Sequence, residues 1–238
     1  MPSLKKDFQI NTKVIIALDY ANESEAFNLV NQLDPTLSAL KVGSEMFTLF
    51  GQDFVRELVE KGFKVFLDLK FHDIPNTVAN ACKAAAELGV WMINVHASGG
   101  LNMMKAAKEA LSSLQNPPLL IAVTVLTSMS EEELSFIGVK KGLEQQVKDL
   151  AFLAKQAHLD GVVCSAHEVP MIKDYCGKSF LTITPGIRLN EDKADDQVRI
   201  MTPKDAIALG ADHLVIGRPI TKAENPLAIL KSINKLIA

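Results

Sequence analysis

A chain of 238 residues, 48% hydrophobic and 22% charged, has the composition of a globular protein with a large core, which excludes a disordered or fibrous class. Its formal net charge of −3, with lysines and glutamates interspersed, offers no broad basic surface, so neither a nucleic-acid polymer nor an anionic membrane is the expected partner. The opening MPSLKKDFQI lacks the apolar core of a signal peptide, no later apolar run reaches the ~18 residues of a membrane span, and Cys82, Cys164 and Cys176 are spaced as reduced packing residues, so a cytoplasmic location is expected.

The first apolar run, VIIALD at 14–19, reads as a buried strand ending in an acid, with an amphipathic helix over 23–33 behind it. SALKVG at 38–43 carries Lys41 near its end and precedes a helix over 45–61. FKVFLDL at 63–69 leads into Lys70, His72 and Asp73, after which Pro75 marks the first turn of a helix running to 88. VWMINVH at 90–96 ends in His96 and is followed by a helix over 101–114. LLIAVTVL at 119–126 delivers Thr127 and Ser128, with a helix over 143–158. DGVVC at 160–164 precedes Ser165, and FLTITPG at 180–186 precedes Arg188 and a helix over 203–209. DHLVIG at 212–217 runs through a glycine turn into Arg218 and a short helix, and a final helix covers 226–237. Gly62, Gly89 and Gly210 stand just past helix ends, where glycine tolerates the left-handed cap.

Nearly unbroken hydrophobicity within each run means that both faces are buried, as in a parallel sheet covered by helices. Strict alternation of strand and helix admits a closed barrel or a doubly wound open sheet. Eight strands favour the barrel, and the first strand ends in ALDY where a dinucleotide sheet would place GxGxxG. The expected architecture is α/β, a single (β/α)8 TIM barrel spanning residues 1–238 as one catalytic domain.

Active sites of such barrels lie at the C-terminal ends of the strands, so the polar residues that end the apolar runs are the candidates. Asp68 and Lys70 lie two apart in an extended strand and should both face the barrel mouth. With Lys41 from the second strand and Asp73 from the following loop, they make two ammonium and two carboxylate groups around one cavity. Such a set suits a reaction that needs a fixed cationic proton donor beside a developing carbanion, and Lys70 is the natural donor. Across the mouth, Gly217 and Arg218, with Pro185, Gly186, Arg188 and Gln197 from the preceding loop, resemble the phosphate site that barrels build after strands seven and eight. The expected ligand is therefore a small phosphorylated molecule.

Taken in chain order, ALDY, KVG, DLKFHDIPNT, NVHASGG, VLTS, TPGIR, DQ and VIGRPI resemble the orotidine 5′-phosphate decarboxylase family over almost the whole length. The DxKxxD motif alone is shared with related barrel enzymes; the ordered set is far more specific. The resemblance implies a nucleotide substrate and a metal-free, cofactor-free decarboxylation in which Lys70 protonates the pyrimidine carbon left by CO2, within a network of Lys41, Asp68, Lys70 and Asp73. It further implies that Asp19, Lys41 and Thr77 hold the ribose, that Thr127 and Ser128 contact the pyrimidine, and that Gln197, Gly217 and Arg218, with Pro185 and Arg188 nearby, hold the phosphate. A homodimer is implied in which Asp73, Ile74 and Thr77 enter the partner's site. The loop over 185–197 reads as a lid, and here the chain departs from the family pattern, with Leu189 where Pro is usual and Glu191 and Asp195 where Gly is frequent. Two alternatives stand beside this reading. A Mg-dependent sugar-phosphate decarboxylase or aldolase of the same superfamily would need an acid where Lys41 stands. A non-catalytic phosphate-ligand binding barrel would not need the proton donor.

Overall fold

A computed structural model describes residues 12–189 and 201–238. Eight parallel strands pair in sequence order into a closed barrel, β8 returning to β1. They are β1 Val14–Leu18, β2 Ala39–Gly43, β3 Val65–Phe71, β4 Met92–His96, β5 Leu119–Val123, β6 Gly161–Val163, β7 Leu181–Thr184 and β8 His213–Ile216. The helices are α1 Glu23–Val30, α2 Ser44–Glu60, α3 Pro75–Ala86, α4 Leu101–Ser112, α5 Glu131–Phe136, α6 Leu143–Gln156, α7 Val169–Cys176, α8 Pro203–Ala208, α9 Arg218–Thr221 and α10 Pro226–Ile237. Among the described residues no helix is long and apolar enough to cross a membrane.

Alternation along each strand divides the apolar residues between two cores. Val14, Ile16 and Leu18 of β1 face the helices in the larger cluster, whereas Ile15 and Ala17 join Ala39, Phe66, Met92, Ile121, Ile183 and Val215 inside the barrel. This inner cluster is a plug of packed side chains rather than a pore. Because the side-chain period is two, the plug also decides what stands above it at the mouth. One inward step beyond Ala17, Ala39, Phe66 and Met92 come Asp19, Lys41, Asp68 and Asn94.

Below the plug, two strand entries use the same arrangement. Asp160, just before β6, accepts the Leu120 N–H at 2.7 Å and pairs with Lys108 of α4 at 2.8 Å. Asp212, just before β8, accepts the Thr182 N–H at 2.7 Å and pairs with Lys173 of α7 at 2.6 Å. Each aspartate thus occupies a backbone donor at the start of the preceding strand and ties an outer helix to the barrel floor.

Four differences from the sequence reading follow from local chemistry. The apolar runs extend beyond the ladders at one or both ends, because residues such as Val125 stay buried after hydrogen bonding between strands has stopped. Helix α3 starts at Pro75 as expected but stops at Ala86, two residues short of the expected end, its last turn closed by the Glu87 N–H on the Lys83 and Ala85 carbonyls. Helix α5 was not expected; it is six residues long and is started by a Ser130/Glu133 capping box. Helix α7 was also missed, an eight-residue segment with proline in its first turn.

Candidate active site

The cavity at the mouth has a volume of about 520 Å3. Its floor is made by Ala17, Phe66, Val123, Val163 and Val215, its charged wall by Asp19, Lys41, Asp68 and Lys70, and its far rim by Pro185, Gly186, Arg188, Gly217 and Arg218. Strand alternation explains the wall: Asp19, Lys41 and Asp68 are the inward positions immediately above the plug.

Lys70 does not follow that alternation. Between Leu67 and Phe71 the register of β3 against β4 shifts, and Lys70 adopts φ 53, in the left-handed region. A bulge of this sort redirects a side chain, and for a residue with a Cβ the conformation costs about 1–3 kcal/mol that the surroundings must offset. Asp68 and Lys70 both face the mouth, as expected, but the reason is not an extended strand. They meet because the strand bends between them.

The result is a chain of charges. Lys70 Nζ lies 2.7 Å from Asp68 Oδ1, Lys41 Nζ lies 3.3 Å from Asp68 Oδ2, and Lys41 Nζ lies 3.8 Å from Asp19 Oδ1. Burial by itself would raise the Asp68 carboxyl, but Lys41, Lys70 and the hydrogen bonds from Lys70 and Asn94 outweigh it and hold the group below the usual aspartate range. Asp68 is thus an anion at neutral pH, in contact with the side-chain nitrogens of both lysines. His96, the next inward residue of β4 after Asn94, has its imidazole pushed below the usual range by burial, His72 and Lys70. It stands neutral beside the cluster, its ring 5.6 Å from that of His72.

Asn94 is the residue that sequence reasoning missed. Its Nδ2 donates to Asp68 Oδ1 at 2.7 Å, and its Oδ1 accepts the Lys70 backbone N–H at 2.8 Å. The available signal was its position two residues beyond Met92, in register with the wall residues of the other strands. Thr221 and Lys222 also line the cavity without having been singled out; Tyr20 donates to the Thr221 carbonyl at 3.2 Å, and the Lys222 ammonium lies 5.8 Å from the Tyr20 ring centre.

Asp73 corrects a second expectation. In its own chain it does not share the cavity of Lys41, Asp68 and Lys70. Strand β3 ends at Phe71, and the Asp73 carboxylate turns back to accept the Ile74 N–H at 2.6 Å, next to the start of α3. Asp73 and Ile74 line a separate, open depression with His72, Pro75, Ser98 and Gly99. Asp73, Ile74 and Thr77 are all exposed, Ile74 at 67%. Thr127 lines the main cavity, whereas Ser128 is exposed and is not among its lining residues.

On the rim, the two ends of the 185–201 loop are tied together: the Arg188 N–H donates to the Met201 carbonyl at 3.0 Å, and the Met201 N–H donates to the Gly186 carbonyl at 3.3 Å. The Arg188 side chain is buried against this stem, its Nη1 donating to the Ile187 carbonyl at 3.1 Å. A Cβ at Gly217 would lie 3.7 Å from Ala17 Cβ and 3.9 Å from Asp19 Oδ2, so packing within the protein tolerates a side chain there; the space it would take belongs to the cavity. Gln197, Glu191 and Asp195 lie outside the described residues. Among the described residues, no three His, Cys, Asp or Glu side chains converge as a metal site.

In chemical terms, the cavity offers a buried anion, two flanking ammonium groups and, across an apolar floor, a guanidinium rim. That arrangement can hold a dianion at one end and deliver a proton at the other.

Comparison with known proteins agrees with this geometry. The model of the family described as "Orotidine 5'-phosphate decarboxylase / HUMPS family" matches residues 12–233. A protein of Legionella pneumophila strain Lens named orotidine 5′-phosphate decarboxylase is 60% identical over 222 residues, which cover 93% of this chain and 97% of that one. One of the same name from Pseudoalteromonas translucida is 59% identical over 231 residues, covering 97% and 99% of the two chains. The crystal structure of orotidine 5′-phosphate decarboxylase from Lactobacillus acidophilus superposes with a TM-score of 0.86 at 40% identity, over 95% of this chain and 99% of that one. The chain belongs to the orotidine 5′-phosphate decarboxylase / HUMPS family.

Proposed function

We propose that this protein is a cytoplasmic enzyme, working as one catalytic domain, that decarboxylates orotidine 5′-monophosphate to uridine 5′-monophosphate and CO2 without metal or organic cofactor. The observation that carries the reading is the Lys41–Asp68–Lys70 chain of contacts at the wall of a cavity whose far rim bears Arg218. The nucleotide lies with its phosphate against Gly217, Arg218 and Arg188, near Pro185 and Gln197, its ribose against Asp19 and Lys41, and its pyrimidine toward Thr127 and Ser128. The carbon–carbon bond to the carboxylate breaks, its electron pair stays on the ring carbon, and CO2 departs. The Lys70 ammonium stabilises the developing carbanion and then gives it a proton; Asp68 and Lys41 fix its position and charge. Contacts to the phosphate, remote from that carbon, supply binding energy that acts on the transition state as well as on affinity.

The active unit in this reading is a homodimer in which Asp73, Ile74 and Thr77 of each subunit complete the partner's site. What supports it is their exposure and the separation of Asp73 from its own chain's cavity.

The test is the loss of orotidylate absorbance on adding purified protein. Turnover that survives exhaustive chelation and disappears in Lys70→Ala is the expected result. Activity abolished by EDTA and restored by Mg2+ points instead to a metal-dependent barrel enzyme, and no turnover at all points to a binding protein.

A further inference from the structure

Asn94 is fully buried in β4 between the apolar Ile93 and Val95, and both ends of its carboxamide are occupied. The orientation of the amide is dictated by its neighbours. The Lys70 N–H can only donate, so Oδ1 must face it, and the NH2 group is left to meet Asp68 Oδ1. In an unbroken parallel ladder that N–H would turn toward β2, as the Lys64 carbonyl does in accepting the Leu40 N–H. Where the register shifts between Leu67 and Phe71, the Asn94 side chain supplies the acceptor instead, reaching it without requiring an extended φ at Lys70. A hydrophobic residue here, like its neighbours Ile93 and Val95, would leave the Lys70 N–H without this acceptor and remove one of two donors from Asp68 Oδ1.

We infer that Asn94 is a positioning residue for the reaction: it holds the bend that brings Lys70 back onto Asp68, and it fixes the carboxylate that receives the lysine. The inference rests on the decarboxylase reading for its kinetic consequence only. The charged and titratable groups around Asn94 are Asp68 and Lys70 from β3, Lys41 from β2 and His96 on β4 itself.

Two variants separate the halves of this role. Asn94→Ala removes acceptor and donor together. Asn94→Asp keeps an acceptor for the Lys70 N–H but, when ionised, sets a second carboxylate against Asp68; when protonated, it again presents one donor and one acceptor. In Asn94→Ala, kcat for orotidine 5′-monophosphate should fall on the order of 10²-fold, the scale of a small misplacement of a catalytic group, with KM little changed. Uridine 5′-monophosphate should still bind with wild-type stoichiometry by calorimetry, and hydrogen exchange at the Lys70 amide should accelerate. In Asn94→Asp that amide should stay protected, and activity should gain a limb absent from the wild type, recovering as pH is lowered and the new carboxyl is protonated. A folded Asn94→Ala with kcat within about twofold of wild type overturns the inference, as does a Lys70 amide that exchanges at the wild-type rate. A fall in kcat matched by an equal loss of nucleotide-binding sites also overturns it, since that is the signature of a purely structural residue. Should Asn94→Ala fail to fold, the pH limb and the amide protection of Asn94→Asp decide the matter. Amide exchange needs no turnover, so a wild type without decarboxylase activity sinks the proposed function and leaves the exchange result to judge Asn94.

Discussion

Arg218 is the residue through which the phosphate reading is tested most directly. A guanidinium paired with a phosphate dianion contributes about 2–3 kcal/mol when its bonds are charge-assisted, so Arg218→Ala should lower kcat/KM for orotidine 5′-monophosphate roughly 30- to 160-fold. The phosphate-free nucleoside, which has nothing for Arg218 to hold, should be turned over equally by variant and wild type; a parallel loss for both substrates removes Arg218 from the phosphate site. Lys41, Asp68 and Lys70 were readable from the sequence because charges at the ends of apolar runs have few structural uses. The bend at Lys70 was not, because it depends on the β3–β4 pairing and on an acceptor 24 residues away. Asn94 escaped for a related reason: one polar residue between apolar neighbours reads as a satisfied core amide until its partners are known. Asp73 was grouped with Lys70 on sequence proximity, and its separation from the cavity reflects the end of β3 at Phe71.

The strands were legible because burial on both faces leaves an unbroken apolar run, and the long helices because their apolar stripe repeats over several turns. Helices α5 and α7 were not, since six and eight residues are too few for a stripe to stand out. At the floor of the barrel, His213 begins β8, with its Nδ1 3.0 Å from the Thr12 carbonyl and its ring 5.2 Å from Trp91, edge to face. Burial pushes its imidazole below the ordinary value of 6.5, more than the Thr12 hydrogen bond and Asp212 raise it. With its folded-state value lowered, the unfolded chain takes up the proton first as pH falls. This contribution to stability is complete above about pH 6.5 and is lost progressively below it. The urea midpoint of the wild type should therefore drop between pH 7.5 and 5, and in His213→Phe that drop should be smaller. An identical slope in the two proteins would mean that His213 is not buried in its neutral form.

For the whole molecule, the shared-site reading makes a numerical prediction. Lys70→Ala and Asp73→Ala homodimers should each be nearly inactive, since every site lacks one essential group. In a mixed dimer one site carries both lesions and the other none. Equal and random exchange makes half of the dimers mixed and half of their sites intact, so about a quarter of wild-type activity should return on mixing. Activity that stays at the homodimer background, once exchange has been demonstrated, assigns Asp73 to its own chain. Closure of the barrel has a consequence in time as well as in space. The seam between β1 and β8 joins residues as far apart as Thr12 and His213, 201 positions along the chain. At a synthesis rate of about 5–20 residues per second, roughly 10–40 s pass between the emergence of one partner and that of the other. Throughout that interval the strand VIIAL has one edge without its mate, and contacts of such sequence separation are the slowest to form. The nascent protein is therefore most exposed to self-association at its first strand, and a chaperone that shields Val14–Leu18 until β8 arrives should raise the yield of closed barrels more than one acting at any later strand.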